Sequence, residues 1–379
     1  MTHAEVARLR LHGHCIAGPK AADPAAIVHH LGAMQAQAYG QALWAIGLRT
    51  QRGTAASIEL AISDRKIVRT WPMRGTIHFV PAEDAKWMLR LSAARMLART
   101  RRRHEQLELN NGITQRCEKI FYSALQGGMT LRRSEMMTLL EHAGISTTGQ
   151  RGYHLLWYAA QTGLICMGPM QNNEQTFVLL DDWVPGAQEL SRGDALAELA
   201  NRYYTAHGPA TVHDFAWWAG LTVTDAKAGL EAAKPGLVSE PLNGKEYWRP
   251  TTSPGDDETR DQRDVYLLPG FDEYLLGYQD RSAVLAAEDA DKVVPGRNGV
   301  FLPTIVAGGK VVGTWKRELR RGAIEITIRP FVQPVDWDVQ VIKAADVYGA
   351  FQGRPVSTTI ILPGVSSDRP SSRAERSRS

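Results

Sequence analysis

Two β-type runs, Leu164-Ile165-Cys166-Met167 and Thr176-Phe177-Val178-Leu179-Leu180, follow one another in the chain. Three helical segments precede them, at residues 115–126, 132–143 and 150–162. β-Branched and aromatic residues favour strands, whereas apolar residues three and four positions apart favour amphipathic helices. Three helices closed by a β-hairpin are the plan of a winged helix, a helix-turn-helix variant that usually binds DNA. This pattern therefore predicts a winged-helix module.

The same order of elements occurs on both sides of this module, at a spacing of roughly 75–90 residues. The first copy has helical segments at 24–36 and 54–63 and β-type runs within 67–80. The third has helical segments at 190–206, 211–219 and 223–233 and β-type runs at 236–239 and 247–248. We predict tandem winged helices; the alternative is a helical protein with incidental hairpins.

The composition changes near residue 250, where a polar linker at 254–258 precedes several short β-type runs. Gly308-Gly309 between two of these runs is a strong hairpin signal, and a helix is expected near 335–352. The runs lie at 265–268, 299–301, 304–307, 310–315 and 323–328. The fold class is thus predicted as α+β, with tandem winged-helix repeats followed by a small antiparallel β-domain. The predicted units are 1–108, 109–186, 187–252 and 253–364, and then a disordered basic tail at 365–379 containing Arg369, Arg373, Arg376 and Arg378.

The 379-residue chain is 44% hydrophobic and 22% charged, as expected of a globular protein with several modules. No apolar run reaches the roughly 20 residues that cross a bilayer, and no signal-peptide pattern opens the chain. Cys15, Cys117 and Cys166 are too dispersed for a disulfide framework or a zinc site. We expect a cytoplasmic, nucleoid-associated monomer without a metal or other cofactor.

Basic side chains are clustered, although the formal net charge is only +4. A group at the end of one predicted helix favours phosphate contacts with double-stranded DNA; the alternative is a solvated helix face. A second pair, Arg132-Arg133, follows Thr130, which is predicted to cap a helix. The first group comprises Arg95, Arg99, Arg101, Arg102 and Arg103.

The third module contains an aromatic segment, His213-Asp214-Phe215-Ala216-Trp217-Trp218. Thr211 is predicted to cap this helix. Phe215, Trp218 and Leu221 share one helical face, which favours a role in the core over base stacking.

Two carboxylates, Asp272 and Glu273, follow Pro269-Gly270-Phe271. Such a pair can perform acid–base chemistry or hold a metal. An Asp–Arg clamp beside aromatic residues, with Asp280-Arg281 nearby, is the structural alternative.

Gln35 and Gln37 are spaced two residues apart. This spacing places the side chains on opposite sides of a helix but on the same side of an extended segment. A shared role therefore requires the helix to end near Gln35, and Gly40 favours such a break. Composition alone favours a surface or packing role.

Several blocks, in the same order over about residues 5–350, resemble the AlkZ/YcaQ group of winged-helix DNA glycosylases. The resemblance implies tandem winged helices and a β-domain that cup duplex DNA, and excision of alkylated bases, in some members bulky adducts and interstrand crosslinks. The catalytic motif of that group is Gln, any residue, then Gln or Asp, which implies catalytic roles for Gln35 and Gln37. We expect Arg74 and His78, within one block, to contact phosphate or the lesion strand; for Arg74 a buried ion pair is the alternative. The blocks lie at 31–37, 42–49, 71–78, 207–211, 268–274 and 313–315.

A neutral amide cannot accept a proton at neutral pH, so the implied chemistry requires a substrate that already leaves readily. Alkylation at N7 or N3 makes a purine cationic, and two amides then need only position water and stabilise an oxocarbenium-like transition state. We expect hydrolysis that leaves an abasic site, and we expect normal guanine to resist it. The alternatives are a non-catalytic winged-helix regulator or lesion binder, and a non-DNA hydrolase that uses Asp272 and Glu273.

Overall fold

The computed structural model describes residues 1–252, 264–333 and 337–363. Helices and mainly antiparallel strands alternate along these ranges. The linker at 254–258 and the tail at 365–379 lie outside the described residues. Within those residues, no helix is both long and apolar enough to cross a membrane.

The elements of the first part are α1 (His3–Gly13), α2 (Pro24–Leu31), β1 (Met34–Gln35), α3 (Tyr39–Gly47), α4 (Ala55–Ser63), β2 (Ile67–Thr70), β3 (His78–Pro81) and α5 (Ala85–Gln106). Next come α6 (Asn111–Leu125), β4 (Leu131–Arg132), α7 (Arg133–His142), α8 (Arg151–Gln161), β5 (Ile165–Met167), β6 (Thr176–Leu179) and α9 (Leu180–Trp183). The third part contains α10 (Arg192–His207), α11 (Val212–Ala219), α12 (Val223–Ala233), β7 (Leu237–Leu242) and β8 (Lys245–Pro250). The last part contains β9 (Val265–Leu268), α13 (Glu273–Leu276), α14 (Ala290–Val293), β10 (Thr304–Ala307), β11 (Lys310–Arg320), β12 (Ala323–Pro330), α15 (Asp338–Gln352) and β13 (Val356–Ile360).

Helix starts follow local capping chemistry in most of these elements. The Thr211 side chain accepts a hydrogen bond from the Asp214 backbone at the start of α11, which confirms the predicted cap. The prediction for Thr130 is wrong, because α7 begins two residues later than that cap requires. There the Glu135 carboxylate accepts a hydrogen bond from the backbone N–H of Arg132, the residue that precedes α7.

The helix predicted at 24–36 ends at Leu31, earlier than the sequence pattern indicates. Gly32 follows with φ 76°, a left-handed conformation that glycine adopts without strain. Met34 and Gln35 then pair antiparallel with Phe79 and His78. Strand pairing with β3 therefore replaces the last helical turn and brings Gln35 onto an extended segment.

The strand pairs of the first two parts form one six-stranded sheet in the order β1-β3-β2-β5-β6-β4. The two halves meet where β2 pairs with β5, at Arg69 and Met167. The strands β7 and β8 form a separate two-stranded sheet. The site described below lies at the β1 edge of the larger sheet.

The last part contains a five-stranded sheet in the order β13-β12-β11-β10-β9. The hairpin predicted at Gly308-Gly309 is confirmed, since both glycines have positive φ between β10 and β11. Two predictions differ from the structure. Residues 299–301 form no strand, and the sheet predicted as antiparallel contains one parallel pair, because β13, an element that sequence patterns did not indicate, runs parallel to β12.

The hydrophobic cores join distant parts of the chain. One cluster combines the helices α1–α4 with the five-stranded sheet and α15. Within it, the Trp44 ring packs 5.1 Å from Tyr348 and its Nε1 donates to the Leu267 carbonyl over 2.8 Å. Packing therefore connects segments on both sides of the boundaries predicted at residues 108 and 253.

Candidate active site

Gln35 and Gln37 contact each other through their side-chain amides. The Gln35 Nε2 nitrogen donates to the Gln37 Oε1 oxygen over 2.8 Å. Gln37 is exposed and Gln35 is half-buried, so the pair lies at the surface. The structure thus confirms that the two side chains converge on an extended segment. Among the described residues Gln35 Oε1 has no hydrogen-bond partner, so this oxygen remains available as an acceptor.

The backbone between the two glutamines is held on both sides. The Ala36 N–H donates to the Ile77 carbonyl over 2.8 Å, and the Ala36 carbonyl accepts from Arg69 Nε at 3.1 Å and Nη2 at 2.7 Å. The Ala36 side chain is fully buried. A small middle residue therefore packs inward while its polar neighbours face out.

Arg69 is a site residue that sequence analysis missed. It lies buried on β2 and also donates through Nη1 to Gln175 Oε1 in the connection between β5 and β6. Burial lowers its pKa to about 10, so the guanidinium stays charged at neutral pH. The signal available in the sequence was an arginine within the apolar run Ile67-Val68-Arg69-Thr70-Trp71.

Glu273 anchors the first glutamine. Its Oε1 accepts from the Gln35 backbone N–H over 2.8 Å and its Oε2 from Trp218 Nε1 over 2.9 Å. Burial raises the pKa of this carboxyl, but interactions with His207 and Arg74 more than offset the effect and lower the pKa to about 2. Glu273 is therefore ionised and buried, and it holds the site in place as a hydrogen-bond acceptor.

Asp272 forms a buried ion pair with Arg49, which lies in the turn just after α3; Arg49 Nη1 and Nη2 are 2.9 and 2.7 Å from its two oxygens. The structural clamp is thus present, but its partner is Arg49; the nearby Asp280 instead pairs with Lys245. Both oxygens of Asp272 are occupied, so it is not an available acid or base. No group of three or more His, Cys, Asp or Glu side chains in the described ranges could hold a metal.

His78 is fully buried, so its ring does not reach the surface where a phosphate would lie. Its Nδ1 lies 2.9 Å from the Thr76 carbonyl and its Nε2 lies 3.3 Å from Arg74 Nη2. Burial and the neighbouring Arg74 lower the pKa of His78 to about 4, which keeps the ring neutral. The expected contact of His78 with DNA is therefore not present in this conformation, and the ring orients Arg74 instead.

Arg74 is half-buried and lines a cavity of about 430 Å³ together with Arg95 and Arg99. The ion pair weighed as an alternative for Arg74 is absent among the described residues, where no carboxylate lies within 4.0 Å of it. The structure thus brings Arg74, Arg95 and Arg99, three predicted phosphate ligands, to one cleft.

The remaining arginines of α5 differ in their partners. Arg101 forms an ion pair with Glu105 over 3.3 Å. Arg103 donates a hydrogen bond over 2.8 Å to Gln150, the residue that precedes α8. Arg102 is exposed and has no ion pair in the part of the chain that the structure describes. Arg102 is therefore the least constrained cation of this group.

Arg132 and Arg133 differ in their partners and in their surroundings. Arg132 pairs with Glu135 over 2.7 Å within the first turn of α7. Arg133 is exposed and lines a cavity of about 520 Å³ with Gln150 and Tyr153. Arg103 donates to the same Gln150, so Gln150, which precedes α8, adjoins the surroundings of both arginines.

Comparisons with known proteins show which family the chain resembles. The chain is 26% identical over 335 residues to the interstrand DNA cross-link repair glycosylase of Streptomyces sahachiroi, covering 79% of this chain and 82% of that protein. Its fold is similar to the solved structure of Streptomyces sahachiroi DNA glycosylase AlkZ, with a TM-score of 0.78, 23% identity and coverage of 95% of this chain and 100% of the other. The family model for AlkZ-like DNA glycosylases matches residues 28–347, which include the glutamine pair and its supports. The protein therefore belongs to the AlkZ-like DNA glycosylase family.

Proposed function

We propose that the protein hydrolyses the N-glycosidic bond of cationic alkylated purines in duplex DNA and leaves an abasic site. The observation that carries this proposal is the contact between Gln35 and Gln37 at the surface. The segment that bears them is fixed by Glu273 and Arg69, so the amides are positioned before substrate binds.

The hydrogen bond between the two amides assigns different tasks to them. Since Gln37 Oε1 already accepts from Gln35, the Gln35 Oε1 oxygen is left to accept from an attacking water. The Gln37 amide nitrogen keeps its protons and can donate to the same water. This arrangement holds water on the sugar face opposite the departing base, and the amide dipole stabilises positive charge developing on the sugar.

Neutral amides confine the reaction to substrates with a good leaving group. Neither side chain can protonate a base or deprotonate water, so a neutral guanine should stay in place. An N7- or N3-alkylated purine departs as a neutral base and needs no proton; the proton that the attacking water loses, once its oxygen has bonded to C1′, passes to the solvent. Because a relative is named for interstrand DNA cross-link repair, we extend the proposed substrates to bulky adducts and cross-links of this charge type.

The proposed mode of DNA binding is a monomer whose tandem winged helices hold one duplex. Three groups of helices that each end in an antiparallel strand pair support it. The exposed arginines Arg99, Arg102 and Arg133, without ion pairs among the described residues, provide the phosphate contacts.

The test is release of N7-methylguanine from duplex DNA by wild type, Gln35→Ala, Gln37→Ala and the control Gln126→Ala. Gln126 is exposed at the end of α6. We expect wild type and control to leave abasic sites without strand cleavage, and each site variant to lose activity by on the order of 100-fold. DNA binding by the wild type without base release would instead identify a non-catalytic binder.

A further inference from the structure

The helix α11 has two faces of different character. Phe215 and Trp218 are fully buried on one face, which confirms their predicted place in the core. Trp217 lies on the other face and is 44% exposed, a large exposed area for this side chain. A core role explains Trp218 but leaves Trp217 without a structural purpose.

Two cavities border Trp217. The first is the cleft of about 430 Å³ that contains Arg74, Arg95 and Arg99, and no carboxylate is among the described residues that line it. The second has a volume of about 500 Å³ and is mostly apolar, with Trp217 and Phe301 in its wall. An exposed indole ring therefore lies between a cationic cleft and an apolar one.

Arginines hold this surface in place and leave it positively charged. The Arg281 guanidinium carbon lies 5.9 Å from the Trp217 ring centroid and 5.0 Å from that of Phe301. Arg95 Nη1 donates to the Gly220 carbonyl at the end of α11 over 2.8 Å. Over the described ranges neither arginine has a carboxylate oxygen within 4.0 Å, and the cleft that contains Arg95 has no carboxylate in its lining.

Two chains of contacts connect the surface around Trp217 with the segment that carries Gln35. On the buried side of α11, Trp218 donates to the same Glu273 carboxylate that holds the Gln35 backbone. On the cleft side, Arg74 contacts His78, the strand partner of Gln35. The residues beside Trp217 therefore contact the same groups that hold the element carrying Gln35.

A flat aromatic ring beside unneutralised guanidiniums fits a nucleotide, whose base stacks on indole and whose phosphate pairs with arginine. We propose that Trp217 stacks an unpaired nucleobase of the bound DNA while Arg95 and Arg99 hold its phosphate. The inference rests on the proposed function, since it takes duplex DNA as the ligand and adds a site for a base displaced from it. A glycosylase needs access to the glycosidic bond that it cuts, and removing a base from the duplex costs stacking energy. A protein ring that stacks the displaced base offsets part of this cost.

The test compares three duplexes that differ at one position: fully paired, with a single unpaired purine, and with an unpaired abasic analogue. Affinity is measured for wild type, Trp217→Ala, Trp217→Phe and the control Tyr122→Ala, since Tyr122 is 54% exposed on α6, away from this surface. We expect wild type and control to prefer the unpaired purine over the abasic analogue. Trp217→Ala should lose that preference by roughly 5-fold or more, and Trp217→Phe should keep most of it.

Equal affinities of wild type and Trp217→Ala for the unpaired purine would overturn the inference. The same preparations are assayed for release of N7-methylguanine, so that the two proposals are separated. Base release without a preference for the unpaired purine refutes only the stacking site, whereas a wild type that releases no base refutes the proposed function.

Discussion

At the scale of single residues, the site depends on partners that the local sequence could not reveal. The spacing of Gln35 and Gln37 allowed a shared role only if the helix ended near Gln35, and the structure shows both that end and the contact between the side chains. The acceptor that holds Gln35, Glu273, lies 238 positions further along the chain. From the sequence alone Glu273 is a possible acid, because its partners become visible only when the chain is folded.

The buried histidines make stability depend on pH. His78 has a pKa of about 4 in the folded protein, against an ordinary value of 6.5. The unfolded chain therefore binds more protons than the folded chain between these values. The contribution of the neutral His78 ring to the free energy of unfolding is complete above pH 6.5, and it is lost progressively as the pH falls to 4.

We predict that urea unfolding of the wild type shows a free energy that falls from pH 6.5 to pH 4. The variant His78→Asn should show a shallower decline over the same range. His14 and His207 are also buried with lowered pKa, because burial disfavours their charged forms, so the slope is reduced rather than abolished. An unchanged slope in the variant would contradict the assignment.

At the scale of elements, a buried ion pair ties α3 to the start of α13. Arg49, two residues after the end of α3, and Asp272, just before α13, have side chains at most 1% exposed. Arg49 Nε also donates to the His14 carbonyl over 3.0 Å, so one guanidinium connects three segments. The sequence indicated an Asp–Arg clamp in this region but did not identify Arg49 as the partner, because pairing across 223 positions depends on the fold.

We predict that Asp272→Asn destabilises the protein by about 3–5 kcal/mol, because it leaves the buried Arg49 charge unpaired. The measurement is the free energy of unfolding in urea. The matched control is Glu318→Gln, which breaks an exposed pair with Lys316 and should change stability little. A loss in Asp272→Asn no larger than in the control would refute the role of the pair.

At the scale of the whole molecule, local patterns predicted elements better than their assembly. Helices and hairpins were predicted well where periodicity and caps are local, as in α8, β5 and β6. The joining of the first two hairpins through β2 and β5, and the packing of α3 on α15, were not predicted. These contacts bring together segments far apart in sequence, and apolar periodicity shows that a face is buried without showing what covers it.

The exposed arginines of α5 predict how DNA binding depends on salt. Arg102 has no ion pair in the described part of the chain, whereas Arg90 on the same helix pairs with Glu189 over 3.0 Å. If Arg102 contacts a phosphate, Arg102→Ala should weaken binding to all sequences and lower the log–log salt slope by about 0.9. Affinities measured over a series of salt concentrations check this. Arg90→Ala serves as the control, and equal slopes for the two variants would contradict the prediction.

The central claim is that two neutral amides act as one unit to hold a single water. It is tested most directly by a double-mutant cycle on the single-turnover rate of N7-methylguanine release, with Gln35→Ala, Gln37→Ala and both together. If the pair acts as a unit, the double variant should be scarcely slower than either single variant, because the first substitution already removes the water site. Losses that multiply in the double variant, with DNA affinity unchanged, would show that the two glutamines act independently and would contradict the claim.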